Sequence, residues 1–158
     1  MSTSIFQAKK RRRQSGIEKL ARTTLMAAGG WILYSKLFIN HQVPLSEAIA
    51  AERSVFFSER AGKLSYYSDR QAIGRPLVLL HSVNAAASSY EMRPLFEHYR
   101  SARPVYALDL PGYGFSERSQ RVYTPEMFEN AVQDFLQQEV KEAADVITLS
   151  LSSEFAAR

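Results

Sequence analysis

The sequence predicts an α/β fold with a mainly parallel sheet and helices on both faces of that sheet. Three short apolar runs, at residues 76–81, 105–108 and 145–149, have the composition of strands that are buried on both sides. Segments of helical periodicity follow them, and this alternation implies right-handed crossovers between parallel strands. With 158 residues, of which 46% are hydrophobic, the chain is long enough to bury a core.

Helices are predicted after each of these strands. Ser88 and Glu91 have the spacing of a capping box, which begins the first helix. Residues 124–126, Thr-Pro-Glu, combine an N-cap, a proline in the first turn and an early acidic residue. The second helix therefore begins there and runs to about Val140, and another helical run begins at Phe155.

A hairpin and a short connector are expected before the first parallel strand. Apolar runs at residues 55–57 and 64–67 flank the turn sequence Ala-Gly-Lys at 61–63, which is typical of a β-hairpin. Residues 45–52 are good helix formers and predict a short helical piece. The predicted organisation is a basic tail at 1–15, an amphipathic helix with a connector at 16–53, and the α/β domain at 54–158.

The front of the chain allows three interpretations. A basic run at residues 9–13 precedes apolar residues at helical spacing from Ile17 to Ile39. This helix either packs on the protein, or lies on an anionic membrane surface through residues 9–39, or acts as a weak signal anchor. The uncharged stretch between Arg22 and Lys36 is too short to span a bilayer comfortably. We expect a location in the cytoplasm or at the cytoplasmic face of the membrane.

Composition excludes several classes of function. The formal charge of +4 is concentrated in the basic run, and no aromatic residues interleave that run to stack on bases, so nucleic-acid binding is not expected. The chain has no cysteine, which excludes disulfides, thiolate zinc sites and a cysteine nucleophile. We expect no cofactor and no metal.

The chemistry is expected where the three parallel strands end, because ligands bind at the carboxyl ends of strands in open sheets. Residues 81–89 form a loop of small residues after the first strand. Residues 109–116 read Asp-Leu-Pro-Gly-Tyr-Gly-Phe-Ser after the second, and residues 148–154 are rich in small hydroxyl side chains after the third.

In this order, these motifs resemble the N-terminal half of the α/β-hydrolase family over residues 56–158. The Asp-Leu-Pro-Gly-Tyr-Gly-Phe-Ser segment is the most specific match. The other two motifs depart from the family pattern. Ser82 stands where the family usually has glycine after the histidine, and the usual Gly-x-Ser-x-Gly elbow reads Thr-Leu-Ser-Leu-Ser at 148–152.

Ser150 is the preferred nucleophile of this elbow. The positions two before and two after an elbow nucleophile must be small, because strand and helix nearly touch there. Centring the elbow on Ser150 satisfies this requirement, whereas Ser152 would place Glu154 at such a position and Ser153 would place Phe155 there. Ser152 is the second choice.

The resemblance implies a serine-nucleophile hydrolase that acts on an ester-like or other small carbonyl substrate. It further implies that the backbone N–H groups of Val83 and Leu151 hold the oxyanion. His81 and Asp109 are expected to support the loops rather than to belong to a catalytic triad.

No histidine follows Ser150, although the base follows the nucleophile and the acid in this fold. We therefore expect a truncated or split gene product that lacks the catalytic acid and base and is inactive as it stands. Two other classes stay open. One is a non-catalytic protein that binds a membrane surface or a partner through its half-sheet and N-terminal helix. The other is a nucleotide-binding fold, although no glycine-rich phosphate loop follows the first strand.

Overall fold

The computed structural model describes residues 2–40 and 45–157, with side chains from Gly16 onward except at Ile17. The chain divides into two compact units, Met1–Pro44 and Leu45–Arg158. The predicted connector lies partly at residues 41–44, outside the described residues.

The first unit is dominated by one long helix, α1, which spans Ser2–Phe38. It begins well before the predicted start, so the basic run at 9–13 lies within the helix rather than in a tail before it. Its large apolar side chains are exposed, among them Leu25, Trp31 and Phe38. At 100° per residue these three side chains lie on the predicted face, whereas the exposed Met26 and Leu37 lie on the opposite side, so exposed apolar side chains are not confined to that face. Within the described residues, no helix is both long and apolar enough to cross a membrane.

The second unit contains a five-stranded sheet in the order β1-β2-β4-β3-β5. The strands are β1 (Glu52–Ser58), β2 (Gly62–Asp69), β3 (Leu77–Leu80), β4 (Val105–Leu108) and β5 (Asp145–Thr148). Strand β3 pairs in parallel with both β4 and β5, whereas β2 is antiparallel to β1 and to β4. Four of the five strands therefore run in one direction, and the predicted mainly parallel sheet and hairpin are confirmed.

Helices cover both faces of this sheet, as predicted. Helix α2 (Arg93–Tyr99) packs on one face, where Phe96 contacts a core that includes Leu77 and Leu79. Helices α3 (Pro125–Phe135) and α4 (Ser152–Ala157) pack on the opposite face, which carries Val78 and Leu80. Neighbouring residues of β3 thus alternate between the two cores, which explains why the whole strand is apolar.

The short helix predicted at residues 45–52 is wrong, because residues 45–51 form no regular element and β1 begins at Glu52. Ile49 is 1% exposed and packs in the α2 core. The Tyr67 hydroxyl donates to Glu47 at 2.9 Å and accepts from the Ala48 N–H at 3.0 Å. These contacts with the sheet replace the hydrogen bonds that a helix would have made, so tertiary packing overrides local propensity.

Helix starts agree with the sequence in one case and differ in two. The Thr124 hydroxyl accepts from the Met127 N–H and begins α3, which continues as a π-helical turn over Leu136–Val140. Ser88 caps a 3-10 turn, Ser89–Met92, that precedes α2, but its hydroxyl accepts from Tyr90 rather than Glu91. Helix α4 begins at Ser152, three residues before its predicted start.

Candidate active site

The loops that follow β3, β4 and β5 lie together at the carboxyl ends of these strands, because the strands are parallel and in register from Leu77, Val105 and Asp145 onward. A cavity of about 580 Å³ lies among these loops. Its lining is apolar and aromatic apart from a few polar residues, and comprises Val83, Asn84, Ala85, Pro111, Gly112, Tyr113, Arg118, Tyr123, Pro125, Phe128, Leu151 and Phe155.

His81, at the end of β3, is fully buried and bonded at both ring nitrogens. Nε2 accepts from the Leu110 N–H at 3.0 Å, and Nδ1 lies 2.6 Å from the Ser82 carbonyl oxygen. Because Nε2 is an acceptor, the ring proton lies on Nδ1, which donates to that carbonyl. Burial lowers the pKa of His81, against the raising effects of Ser82, Asp109 and Glu91, so the ring is held neutral. His81 therefore ties the β3 loop to the β4 loop.

Glu91 holds the other side of the β3 loop. Its carboxylate accepts from the Ser82 N–H at 2.8 Å and from the Ser82 hydroxyl at 2.7 Å, and Asn84 Nδ2 donates to it at 3.2 Å. Burial acts to raise the pKa of Glu91, but these hydrogen bonds outweigh it and the pKa is lowered. The predicted capping box is wrong at this residue, because the carboxylate binds Ser82 instead of returning to its own helix start.

Asp109 joins the same loops from the end of β4 and is fully buried. One carboxylate oxygen accepts from the Ser89 N–H at 2.9 Å, and the other accepts from the Phe115 N–H at 3.0 Å. Gly114 has φ +49, and a Cβ at that position would overlap the Asp109 carboxyl group. The glycine is therefore required both by its backbone conformation and by the close approach of Asp109.

The turn after β5 contains a backbone conformation that few residues adopt. Ser150 has φ 56, and it is one of two non-glycine residues with positive φ in the described chain. It is exposed, whereas Ser152 is fully buried and its hydroxyl donates to the Leu149 carbonyl at 2.7 Å. The Ser153 hydroxyl donates to the Ser150 carbonyl at 2.8 Å. Of the three serines, only Ser150 combines exposure with a left-handed backbone.

The predicted oxyanion residues Val83 and Leu151 both line the cavity, although they come from different strand ends. The two histidines that the structure describes do not assemble with Ser150 into a catalytic group. His81 has both nitrogens occupied, His98 lies on α2 with its ring against Tyr99, and His41 lies outside the described residues. In the described part of the chain, no three His, Cys, Asp or Glu side chains form a group that could hold a metal ion.

Sequence reasoning did not identify the cavity walls formed by Arg118, Tyr123, Phe128 and Phe155. Phe128 and Phe155 are distant in the sequence, and their side chains meet because α3 and α4 pack together. The Phe128 and Phe155 rings stack with centroids 4.9 Å apart, and Tyr123 lies 6.4 Å from Phe128. The apolar stripe of α3 was the available signal, but it also describes an ordinary core helix.

The structure is similar to solved hydrolases. An α/β-hydrolase fold protein from Burkholderia ambifaria matches with a TM-score of 0.57 and 21% identity, covering 66% of this chain and 37% of that protein. Naproxen esterase from Bacillus subtilis matches with a TM-score of 0.56 and 25% identity, covering 69% and 38%. A probable hydrolytic enzyme from Pseudomonas aeruginosa matches with a TM-score of 0.58 and 19% identity, covering 70% of this chain and 37% of that protein. The chain therefore spans under half the length of these proteins.

No protein-family model matches the sequence, and no curated protein sequence matches it significantly. The similarity to known proteins is therefore detected by comparing structures and not by comparing whole sequences. The chain has part of the α/β-hydrolase fold, as its strand-end motifs predict, and the structures it resembles include hydrolases.

Proposed function

We propose that this chain carries the nucleophile and oxyanion half of a serine hydrolase site, with Ser150 as the nucleophile. The observation that carries the proposal is the positive φ of an exposed serine at the turn between β5 and α4. A nucleophile elbow has this strained geometry, which lifts the hydroxyl clear of the strand and helix. The neighbouring residue Leu151 lines the cavity together with Val83, which supports their assignment as oxyanion donors.

The proposed reaction is acyl transfer. The Ser150 Oγ attacks the substrate carbonyl carbon, and the negative charge on the carbonyl oxygen is stabilised by the N–H groups of Val83 and Leu151. The proton lost by the Ser150 hydroxyl passes to a base, which a complete site would supply, and goes to the alcohol oxygen as the bond to the leaving alcohol breaks. Water that gives a proton to the same base then attacks the acyl carbon, and the acid leaves as the serine regains its proton. Asp109 and His81 contribute by fixing the β3 loop, which supplies the Val83 donor, against the β4 loop.

A serine at its ordinary pKa needs a base, and none of the described histidines is available to Ser150. We therefore propose that residues 1–158 by themselves acylate slowly and do not turn over. The substrate class is an ester, a lipid or a similar small carbonyl compound. Among these three classes, an ester is supported by the similarity to an esterase from Bacillus subtilis.

Labelling with a fluorophosphonate probe tests the nucleophile. We expect slow labelling of the chain that added imidazole accelerates, because imidazole supplies the missing base. Ser150→Ala should abolish labelling, whereas Ser153→Ala, which removes a neighbouring exposed hydroxyl, should retain it. Labelling that survives Ser150→Ala but disappears in Ser152→Ala would show that the elbow is centred on the wrong serine. Fast labelling without imidazole would contradict the proposed lack of a base.

A second candidate function is attachment to an anionic membrane surface, with the protein in the cytoplasm or at the cytoplasmic membrane face. In α1, Trp31, Tyr34 and Phe38 form an exposed aromatic row with ring centroids 6.0 and 5.1 Å apart. Aromatic rings of this kind favour the membrane interface, and the same helix carries the exposed cations Arg22 and Lys36. The basic run at 9–13 adds further positive charge to the same helix.

Sedimentation with vesicles tests this attachment. We expect the chain to bind phosphatidylcholine vesicles that contain phosphatidylserine and to dissociate from them at high salt. It should not bind vesicles of phosphatidylcholine alone. Trp31→Ser combined with Phe38→Ser should weaken binding. Ile73→Ser is the matched control, because Ile73 is 97% exposed and lies outside the helix. Equal loss in the control, or no binding by the unmodified chain, would remove this candidate.

A further inference from the structure

The cavity that Leu151, the residue after Ser150, helps to line is walled by aromatic side chains. Phe128 and Phe155 stack almost parallel, with 13° between their ring planes, and Tyr123 extends this wall towards solvent. Tyr113 and Val83 contribute further apolar lining. A cavity of about 580 Å³ is within the usual size range for small-molecule sites, so it has room for a ring system.

Among the residues that line this cavity, Arg118 is the single one with a formal charge. Its Nε donates to the Gly112 carbonyl at 3.2 Å and its Nη2 donates to the Gly114 carbonyl at 2.9 Å. Both acceptors are neutral backbone groups, so they orient the guanidinium without cancelling its charge. Gly112 itself is held against the Tyr123 ring, which leaves no room for a Cβ. Arg118 is therefore a positioned cation next to the aromatic wall.

A positioned guanidinium recognises carboxylates well, because it is always charged and offers several N–H donors in one plane. An aromatic wall favours flat apolar groups over flexible chains, since it buries a rigid surface at little cost in conformational entropy. The two features lie on the same cavity and select complementary parts of one molecule.

We propose that this cavity binds an aromatic compound that carries a carboxylate, with the ring on the Tyr123, Phe128 and Phe155 side and the carboxylate at Arg118. The inference rests on the proposed function in one respect, because it makes such compounds the substrates or products of Ser150. Binding itself requires only the cavity and Arg118. The two proposals can therefore fail separately.

Calorimetric titration of the chain with 2-naphthoate and with its neutral analogue 2-naphthamide tests the proposal. We expect 2-naphthoate to bind about tenfold more tightly, the gain of a well-formed charge-assisted hydrogen bond. Arg118→Gln should bring the two affinities together, and Arg118→Lys should retain part of the difference. Arg93→Gln is the matched control, because Arg93 stacks on Tyr90 and does not line the cavity.

The aromatic wall is tested with hexanoate, which has the charge but no ring, and with Tyr123→Leu. We expect hexanoate to bind at least about tenfold more weakly than 2-naphthoate, and the variant to weaken 2-naphthoate binding. Circular dichroism and thermal unfolding establish that each variant is folded. Equal affinity for naphthoate and naphthamide, equal losses in Arg93→Gln and Arg118→Gln, or no binding of naphthoate would each overturn the proposal.

Ser150→Ala separates this inference from the proposed function. Naphthoate binding should survive in Ser150→Ala while fluorophosphonate labelling is lost. Loss of labelling without any naphthoate binding would leave the hydrolase assignment standing and reject the ligand class. Naphthoate binding together with labelling at another serine would leave the ligand class standing and reject Ser150 as the nucleophile.

Discussion

The two sides of the candidate site are built in different ways. The loops after β3 and β4 are joined by two buried polar side chains, because His81 and Asp109 each bond to backbone groups of both loops, and the half-buried Glu91 holds the β3 loop. The turn after β5 lies at an edge of the described sheet and carries an exposed serine in a left-handed conformation. Backbone donors must be held rigidly to stabilise an oxyanion, whereas a nucleophile must be accessible. The difference therefore corresponds to two halves of one proposed mechanism.

The largest effect is expected from Gly114→Ala on the loop side. The new methyl group would overlap the Asp109 carboxyl group and would also require an unfavourable positive φ. We expect a loss of about 4 kcal/mol in the free energy of unfolding, measured by urea denaturation. In an Asp109→Ala background the same change should cost less, because the overlap is gone. Additive costs would show that the contact is not the cause.

Asp109→Ala should destabilise the protein by about 3 kcal/mol, because it leaves the buried Ser89 N–H and the partly buried Phe115 N–H without an acceptor. Asp109→Asn should cost less, since the amide oxygen can still accept one of the two bonds. Urea denaturation of both variants provides the measurement. If Asp109→Ala is tolerated, the contrast between a fixed loop side and an open elbow side does not hold.

His81 should make stability depend on pH. The folded state lowers the pKa of His81 by burial, so the unfolded chain binds a proton more readily. Stability is therefore full above the unfolded pKa of about 6.5 and is lost as the pH falls from there through the folded pKa. His81→Gln should flatten this dependence and cost about 2 kcal/mol at neutral pH through the two altered bonds.

The lowered pKa of Glu91 and of Asp134 acts only near and below the ordinary carboxyl range, so those groups do not account for a change between pH 7 and 5.5. Urea denaturation at several pH values provides the measurement. A slope in that interval that persists in His81→Gln would assign it to another group.

On the elbow side, Ser152→Ala should cost about 1 kcal/mol, because it removes a buried hydroxyl that bonds to the Leu149 carbonyl. Ser153→Ala is the matched control, since its hydroxyl makes a similar bond but is exposed. We expect the control to stay within about 0.5 kcal/mol of the unmodified chain. Equal costs at the two serines would mean that burial does not distinguish them.

The smallest effect is expected at Ser150. Ser150→Gly should raise the free energy of unfolding by about 0.5 kcal/mol, because glycine adopts φ 56 without the steric cost paid by serine. Ser150→Ala keeps the Cβ and should give no such gain. Thermal unfolding of both variants provides the measurement. Destabilisation by glycine would argue against strain at the proposed elbow.

The order and type of the strands, and most of the helices, can be predicted from local sequence patterns. Buried parallel strands such as β3 are short apolar runs, and the N-cap at Thr124 is a local hydrogen bond, so both leave local signals. The positions of the loops at the sheet edge follow from the same alternation. The preference for Ser150 over Ser152 as the nucleophile rests on the small side chains around it, and this role stays a prediction.

Contacts between groups that are distant in the sequence depend on tertiary packing and could not be predicted. The Glu91 carboxylate had two partners available, its own helix start or the loop nine residues earlier, and chain path alone brings it to Ser82. Residues 45–51 have helical propensity, but the buried Ile49 and the Tyr67 hydroxyl hold them in an irregular conformation. Phe128 and Phe155 meet because α3 and α4 pack together, and the carbonyls of Gly112 and Gly114 hold Arg118 at the same cavity. Local patterns encode backbone preference, whereas these contacts depend on how separate segments pack.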